Sequence, residues 1–134
     1  MRGPCELRVG ATPAIRRIGP ITQTHIVRFA GAGGDFNPLH HDPDFATGAG
    51  FRSVIAMGQM QAGMLAGFLT DWLGVEHLRE FEARFLAPVF LGDVLELSAE
   101  VVSIDGSIAE VRALAQAAGE PVISATAKAV VAAP

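Results

Sequence analysis

Gln59-Met60-Gln61-Ala62-Gly63-Met64-Leu65-Ala66-Gly67-Phe68-Leu69-Thr70-Asp71-Trp72-Leu73 is nearly all apolar or small, carries no proline and almost no β-branched residue. Such a run reads as a helix of about 15 residues, roughly 22 Å long. A helix apolar on every side needs cover on every side, so the rest of the chain is expected to wrap it. Gly63 and Gly67 lie four positions apart, which predicts close packing of that face against another backbone. The wider apolar stretch, Met57 to Leu73, is shorter than the roughly 20 residues of a membrane span and holds Gln59, Gln61 and Asp71. With no charged segment followed by an apolar one at the N-terminus, a soluble, cytoplasmic protein without a signal peptide is expected.

C-terminal to this run the hydrophobic period drops to two. Phe81, Ala83, Phe85 and Ala87 alternate with Glu82, Arg84 and Leu86, and Leu95, Leu97, Ala99 and Val101 alternate with Glu96, Ser98 and Glu100. Ala109, Val111, Ala113 and Ala115 alternate with Glu110, Arg112 and Gln116, and Ile123, Ala125, Ala127 and Ala129 with Ser124, Thr126 and Lys128. These are half-buried strands of an antiparallel sheet. Asp105-Gly106 predicts a tight hairpin between the second and third, and Gly119-Glu120 a turn between the third and fourth. Before the helix, residues 14–21 suit a short strand ending at Gly19-Pro20. Thr22 is placed as an N-cap for a short helix carrying Ile26, Val27, Phe29 and Ala30, and Pro43 suits the first position of one further turn. The expectation is an α+β architecture: one domain over residues 1–134, a long buried helix followed by a four-stranded meander, with the earlier strand extending the sheet.

Composition removes several function classes. Half of the 134 residues are hydrophobic, enough for a core, and a net charge of −4 with scattered basic residues argues against nucleic acid. The single cysteine, Cys5, excludes an intramolecular disulfide and suits a reducing setting; it sits in an N-terminus expected to fray, with nothing nearby to activate it.

The chemistry concentrates in Gly34-Asp35-Phe36-Asn37-Pro38-Leu39-His40, which puts a carboxylate and an imidazole five positions apart on one loop. Pro38 restricts itself and Asn37, so the segment reads as a rigid loop rather than a helix. From residues alone, Asp35 and His40 are either an acid/base pair or a turn cap and a carbonyl partner. A metal site from His40, His41, Asp42 and Asp44 is disfavoured, because neighbouring side chains on an extended loop point apart; no metal and no cofactor is expected. His25, His41 and His77 are placed at the surface, Met57, Met60 and Met64 in the core and pocket lining. Arg52, Arg79 and Arg84 are candidate partners for phosphates.

Phe29-Ala30, the Gly34 to His40 motif, Asp42, Phe45-Ala46, Gly58 opening the long helix, Phe85, Pro88-Val89 and Gly92-Asp93 together resemble the MaoC-like dehydratases, or (R)-specific enoyl-CoA hydratases, over about residues 5 to 131. The resemblance implies a hotdog fold, an antiparallel sheet wrapped around the central helix, paired as a homodimer or with a related hotdog subunit. It implies hydration of trans-2-enoyl thioesters of coenzyme A or acyl carrier protein, or the reverse dehydration. Asp35 and His40 would be the catalytic pair, the Gly58 N–H the oxyanion donor, and Phe36, Asn37 and Met57 would border the substrate.

Two positions depart from the family pattern. Met57 stands where a His often precedes the glycine, and Ala66 where a serine is common; both predict a more apolar acyl pocket. Other hotdog activities are a thioesterase, for which Asp71 at the far end of the helix is the only carboxylate on it, and a non-catalytic acyl-binding or partner subunit.

Overall fold

In the computed structural model, which describes residues 1–133, the chain runs β1 (Arg16–Ile18), α1 (Gln23–Gly33), a 3₁₀ turn (Pro38–His40), α2 (Pro43–Gly48), α3 (Gly58–Leu73), β2 (Leu78–Phe85), β3 (Leu95–Asp105), β4 (Ile108–Ala117) and β5 (Glu120–Val130). Pro134, the last residue of the expected domain, lies outside the described residues. The architecture is α+β, with α3 held against one antiparallel sheet. Among the described residues no helix is long and apolar enough to cross a membrane.

The sheet takes the order β1-β3-β4-β5-β2, so the expected meander is corrected: β2 pairs with β5 at the far edge, not with its successor β3. The segment between β2 and β3, residues 86–94, is too long for a tight hairpin. It carries the chain across the sheet and stops on the way to bridge Phe90 to Ile55 and to offer the Val89 carbonyl to the Ala56 N–H at 2.8 Å. Closing α3 in on both flanks requires this crossing.

The core follows from which residues alternate inward. β3 turns Leu95, Leu97, Ala99 and Val101 to the helix, β4 turns Ala109, Val111, Ala113 and Ala115, and β5 Ile123, Ala125, Ala127 and Ala129, all buried. The sheet contributes mainly small side chains and α3 the large ones, Leu65, Phe68, Leu69 and Leu73. Small-to-large complementarity lets the strands approach the helix closely, and each fully buried leucine contributes roughly 1.5–3 kcal/mol.

The expectation of a helix buried all round is corrected on one stripe. Gln59, Gly63 and Asp71 are exposed, and a methyl group added at Gly63 or Gly67 would meet nothing within 4 Å. Sheet and loops cover only part of the circumference, and among the described residues Gly63 and Gly67 pack closely against no other segment.

Cys5 is half-buried rather than frayed. Its Sγ lies 3.4 Å from the Trp72 carbonyl and its own carbonyl accepts the Ala132 N–H at 2.9 Å. Arg2 continues this strap, donating from Nη2 to the Trp72 carbonyl at 2.9 Å and from its backbone to Glu76 at 2.9 Å. His77, expected at the surface, is buried, with Nε2 2.7 Å from the Arg2 carbonyl. A carbonyl only accepts, so Nε2 carries the proton. Hydrogen bonds from its own backbone N–H and from that of Arg2 hold the Glu76 carboxyl below its ordinary range.

Both hairpin turns are shifted by one residue from their expected places. Asp105 pairs with Ile108, leaving Gly106-Ser107 as the turn, and Ala117 pairs with Glu120 around Ala118-Gly119. Ala118 and Gly119 have φ of 49° and 79°. A primed turn matches the twist of the flanking strands but demands left-handed backbone at both positions. For alanine that conformation costs about 1–2 kcal/mol. Ala118→Asn, whose side chain tolerates the left-handed region, is expected to raise the unfolding free energy by about 1 kcal/mol and the midpoint temperature by about 4 °C. Urea and thermal unfolding check this; equal stability of the two proteins would mean that the turn stores no such strain.

Candidate active site

The loop that follows α1 is organised by its own side chains. Gly34 takes φ 73° and donates its N–H to the Ala30 carbonyl at 2.8 Å, ending the helix. Asp35 then accepts the Asn37 N–H at 3.3 Å, and Asn37 accepts the Leu39 N–H at 3.0 Å, capping the 3₁₀ turn. The rigid loop expected here contains one 3₁₀ turn, into which Pro38 fits at the first position. Asp42 caps α2 by accepting the Asp44 and Phe45 N–H groups, each at 3.1 Å, and Pro43 opens that helix as anticipated. Upstream, His25 is not a bare surface residue: its Nδ1 accepts the Thr22 N–H at 2.9 Å and completes a capping box at the start of α1.

This scaffold brings Asp35 and His40 together. Asp35 Oδ2 lies 3.3 Å from His40 Nε2, with the carboxylate half-exposed and the imidazole buried. His40 Nδ1 is 2.7 Å from the Ile55 carbonyl, to which it must donate. The tautomer follows: in the neutral ring Nε2 holds the free lone pair, and it is Nε2 that faces the carboxylate. Two further bonds set the ring's position. The His40 carbonyl accepts Gln23 Nε2 at 3.0 Å, and the Ile55 N–H donates to the Leu39 carbonyl at 3.0 Å.

Ile55 ties this pair to the start of α3, because Gly58 follows three residues later. Its neighbour Met57 has no side-chain cap hydrogen bond, and among the described residues no acceptor takes the Gly58 N–H. A Cβ at Gly58 would come within 2.9 Å of the Phe85 ring, so only glycine lets the ring lie against this backbone. Phe85 faces the helix side as its period predicts, its ring lying against Gly58, and is half-exposed because β2 ends there. Beside it lies a cavity of about 450 Å³, lined by Ile55, Ala56, Gly58, Gln61, Phe85 and Val89 among others. Asp35 and His40 are not among its lining residues. A larger depression of about 760 Å³ on the outer face of the sheet, among Glu82, Arg84, Glu100 and Arg112, has no residue in common with the loop that carries the pair.

The remaining candidates scatter. Phe36 is exposed on the loop itself, and Met57 is buried at 2% exposure. His41 Nε2 lies 3.3 Å from the Phe36 carbonyl. Arg52 stacks 4.0 Å above the Phe90 ring and reaches Asp93 at 3.4 Å, whereas Arg79 is engaged by the Glu76 carbonyl at 2.7 Å. Gln61 carries one sequence signal, a polar residue inside an apolar helix. Its burial at 2% exposure depends on the fold.

A family model described as "MaoC like domain" matches residues 6–122. The chain is 32% identical over 102 residues to a 3-hydroxybutyryl-CoA dehydratase of Methylorubrum extorquens, covering 74% of this chain and 63% of that protein. It is 35% identical over 82 residues to an (R)-specific enoyl-CoA hydratase of Aeromonas caviae, covering 59% of this chain and 60% of the relative. The match thus spans less than two thirds of the length of both relatives. A solved (R)-hydratase from A. caviae superposes with a TM-score of 0.83 at 27% identity, covering 94% of this chain and 98% of the other.

Proposed function

The chain belongs to the MaoC-like domain family and has its hotdog fold, and on that premise we propose that it is a hydro-lyase adding water to trans-2-enoyl thioesters to give (R)-3-hydroxyacyl thioesters, or catalysing the reverse dehydration. The observation that carries the proposal is the pairing of Asp35 Oδ2 with His40 Nε2 at 3.3 Å while Nδ1 is held by the Ile55 carbonyl. A base with a defined lone pair beside a half-exposed carboxylate is what activation of water requires. The relatives' names, an (R)-specific enoyl-CoA hydratase and a 3-hydroxybutyryl-CoA dehydratase, support the same chemistry.

In the hydration direction the water oxygen bonds to C3 of the enoyl group, the C2=C3 electron pair moves toward the thioester carbonyl, and C2 is then protonated. Asp35 and His40 share the water and divide the two proton transfers, one removing a proton from it and the other delivering one to C2. The enolate oxygen that develops is met by the Gly58 N–H, an unpaired donor at the N-terminus of a 16-residue helix. Asn37 supports the loop through its Oδ1, which caps the 3₁₀ turn, and stays with the residues that border the substrate. Phe36 and Met57 keep their assignment to the substrate's surroundings, and coenzyme A or acyl carrier protein supplies the thioester.

A thioesterase would require a free carboxylate on the central helix, and Asp71 is paired with Arg16 at 2.8 Å. The exposed stripe of α3 around Gly63 gives a second subunit a place to pack, and a homodimer is the assembly we assign.

Incubation with crotonyl-CoA separates the readings: loss of enoyl absorbance marks hydration, release of thiol marks hydrolysis, and neither outcome favours a binding role. Asp35→Asn and His40→Ala are each expected to lower hydration by ~10² to 10⁴ with the fold intact. Retention of more than about a tenth of the turnover by either variant would remove the pair from the mechanism.

The cavity beside Gly58 is walled by Ile55, Ala56, Phe85, Leu86 and Val89, and an apolar wall favours apolar acyl chains. Each buried methylene contributes ~0.8 kcal/mol, so kcat/KM is expected to rise severalfold per CH₂ from the C4 enoyl thioester until the cavity is filled. A C4 to C12 series measures this; a maximum at C4, or preference for carboxylated acyl groups, would contradict it.

A further inference from the structure

Met57 and Gly58 share one peptide unit. Its N–H is the donor assigned above to the enolate oxygen, and its other end is the Met57 carbonyl. Whatever binds that carbonyl therefore sets the aim and the polarisation of the N–H. Two donors converge on it. The Met60 N–H donates at 3.0 Å, and the carboxamide of Gln61 lies against the same oxygen.

Gln61 is the buried polar side chain of α3, at 2% exposure among otherwise apolar neighbours. A carboxamide oxygen facing carbonyls would be repelled by them. With its nitrogen turned to them, Gln61 donates to the Met57 carbonyl and to the Gly58 carbonyl, the latter at 3.2 Å. Burying an amide without such bonds would be costly, whereas a hydrophobic side chain of the same length would fill the space. Gln61 thus serves the carbonyl side of the first turn and leaves the Gly58 N–H free for a ligand.

We propose that Gln61 is a positioning residue for the oxyanion donor: by donating to the Met57 carbonyl it fixes the plane of the Met57–Gly58 peptide and strengthens its N–H toward the enolate oxygen. The inference rests on the hydratase reading above. Hydrogen bonds in a chain polarise one another, and a donor on a peptide oxygen draws electron density away from the peptide nitrogen. Losing a direct oxyanion donor costs ~10² to 10³ in kcat. Losing a group that acts through the peptide is expected to cost about tenfold, about 1.4 kcal/mol of activation free energy. Because the negative charge develops only as the reaction proceeds, the loss belongs in kcat rather than KM.

Gln61→Met keeps the length of the side chain and removes the donor. On the best substrate of the C4 to C12 series, kcat is expected to fall about tenfold with KM within about twofold of the parent. The infrared carbonyl band of a bound saturated acyl-CoA, ¹³C-labelled at the thioester, is expected to move to higher frequency, since a less polarised carbonyl is stiffer. Lining the cavity would be a different role and would raise KM without moving the band. An unchanged kcat in a folded variant, a loss carried by KM alone, or an unshifted band would overturn the inference while the hydratase reading stands. Gln61→Leu gives the same decision if the methionine variant does not fold. A wild-type protein inactive on every enoyl thioester tested would overturn both.

Discussion

Burial of α3 is the constraint on which the rest of the molecule depends. A helix carrying Leu65, Phe68, Leu69 and Leu73 on its inner side cannot be left to water, and a sheet whose inward residues are mostly alanine and valine approaches it closely. The crossing of residues 86–94 and the strapping of Arg2 and Cys5 to the helix C-terminus both follow from closing that cover. The helix is consequently rigid, and its N-terminus, where Gly58 lies, inherits that rigidity.

The site uses this rigid end through Ile55. One residue donates to the Leu39 carbonyl and accepts from His40 Nδ1, so the motif loop and the helix entry are stitched by two short bonds. Neither bond involves an exposed flexible side chain. An acid/base pair on a loop would otherwise lose orientation by loop motion; here the backbone of one element fixes the tautomer of a side chain on the other. Gln61 extends the same logic by one layer, a helix side chain turned back on its own first turn.

Corrections to the sequence-based expectations have a common origin. The strand order, the burial of His77, the ordered N-terminus and the open stripe at Gly63 all concern which distant segment lies beside which. Alternation tells a strand's inner face from its outer one but not which neighbour it pairs with. The shifted turns are different in kind. Asp105-Gly106 marks the hairpin but not its register, and Ala118 occupies a left-handed position that its residue type disfavours, because the ladders on either side impose it.

The sequence by itself determined the central helix, the inward faces of β3, β4 and β5, the capping of α1 by Thr22, the opening of α2 at Pro43, and the placing of an acid and an imidazole on one loop. Each of these is local: periodicity, propensity and short spacing act within a few residues. Only the tertiary structure decided that β2 closes the sheet against β5, that the Ile55 carbonyl selects the His40 tautomer, that the Phe85 ring lies over Gly58, and that Gln61 is buried against the Met57 carbonyl. Contacts between segments far apart in the chain, and side-chain orientations imposed by packing, leave no periodic trace in the residues that make them. They arise when the chain is compact enough for hydrogen-bond donors and acceptors removed from water to find partners.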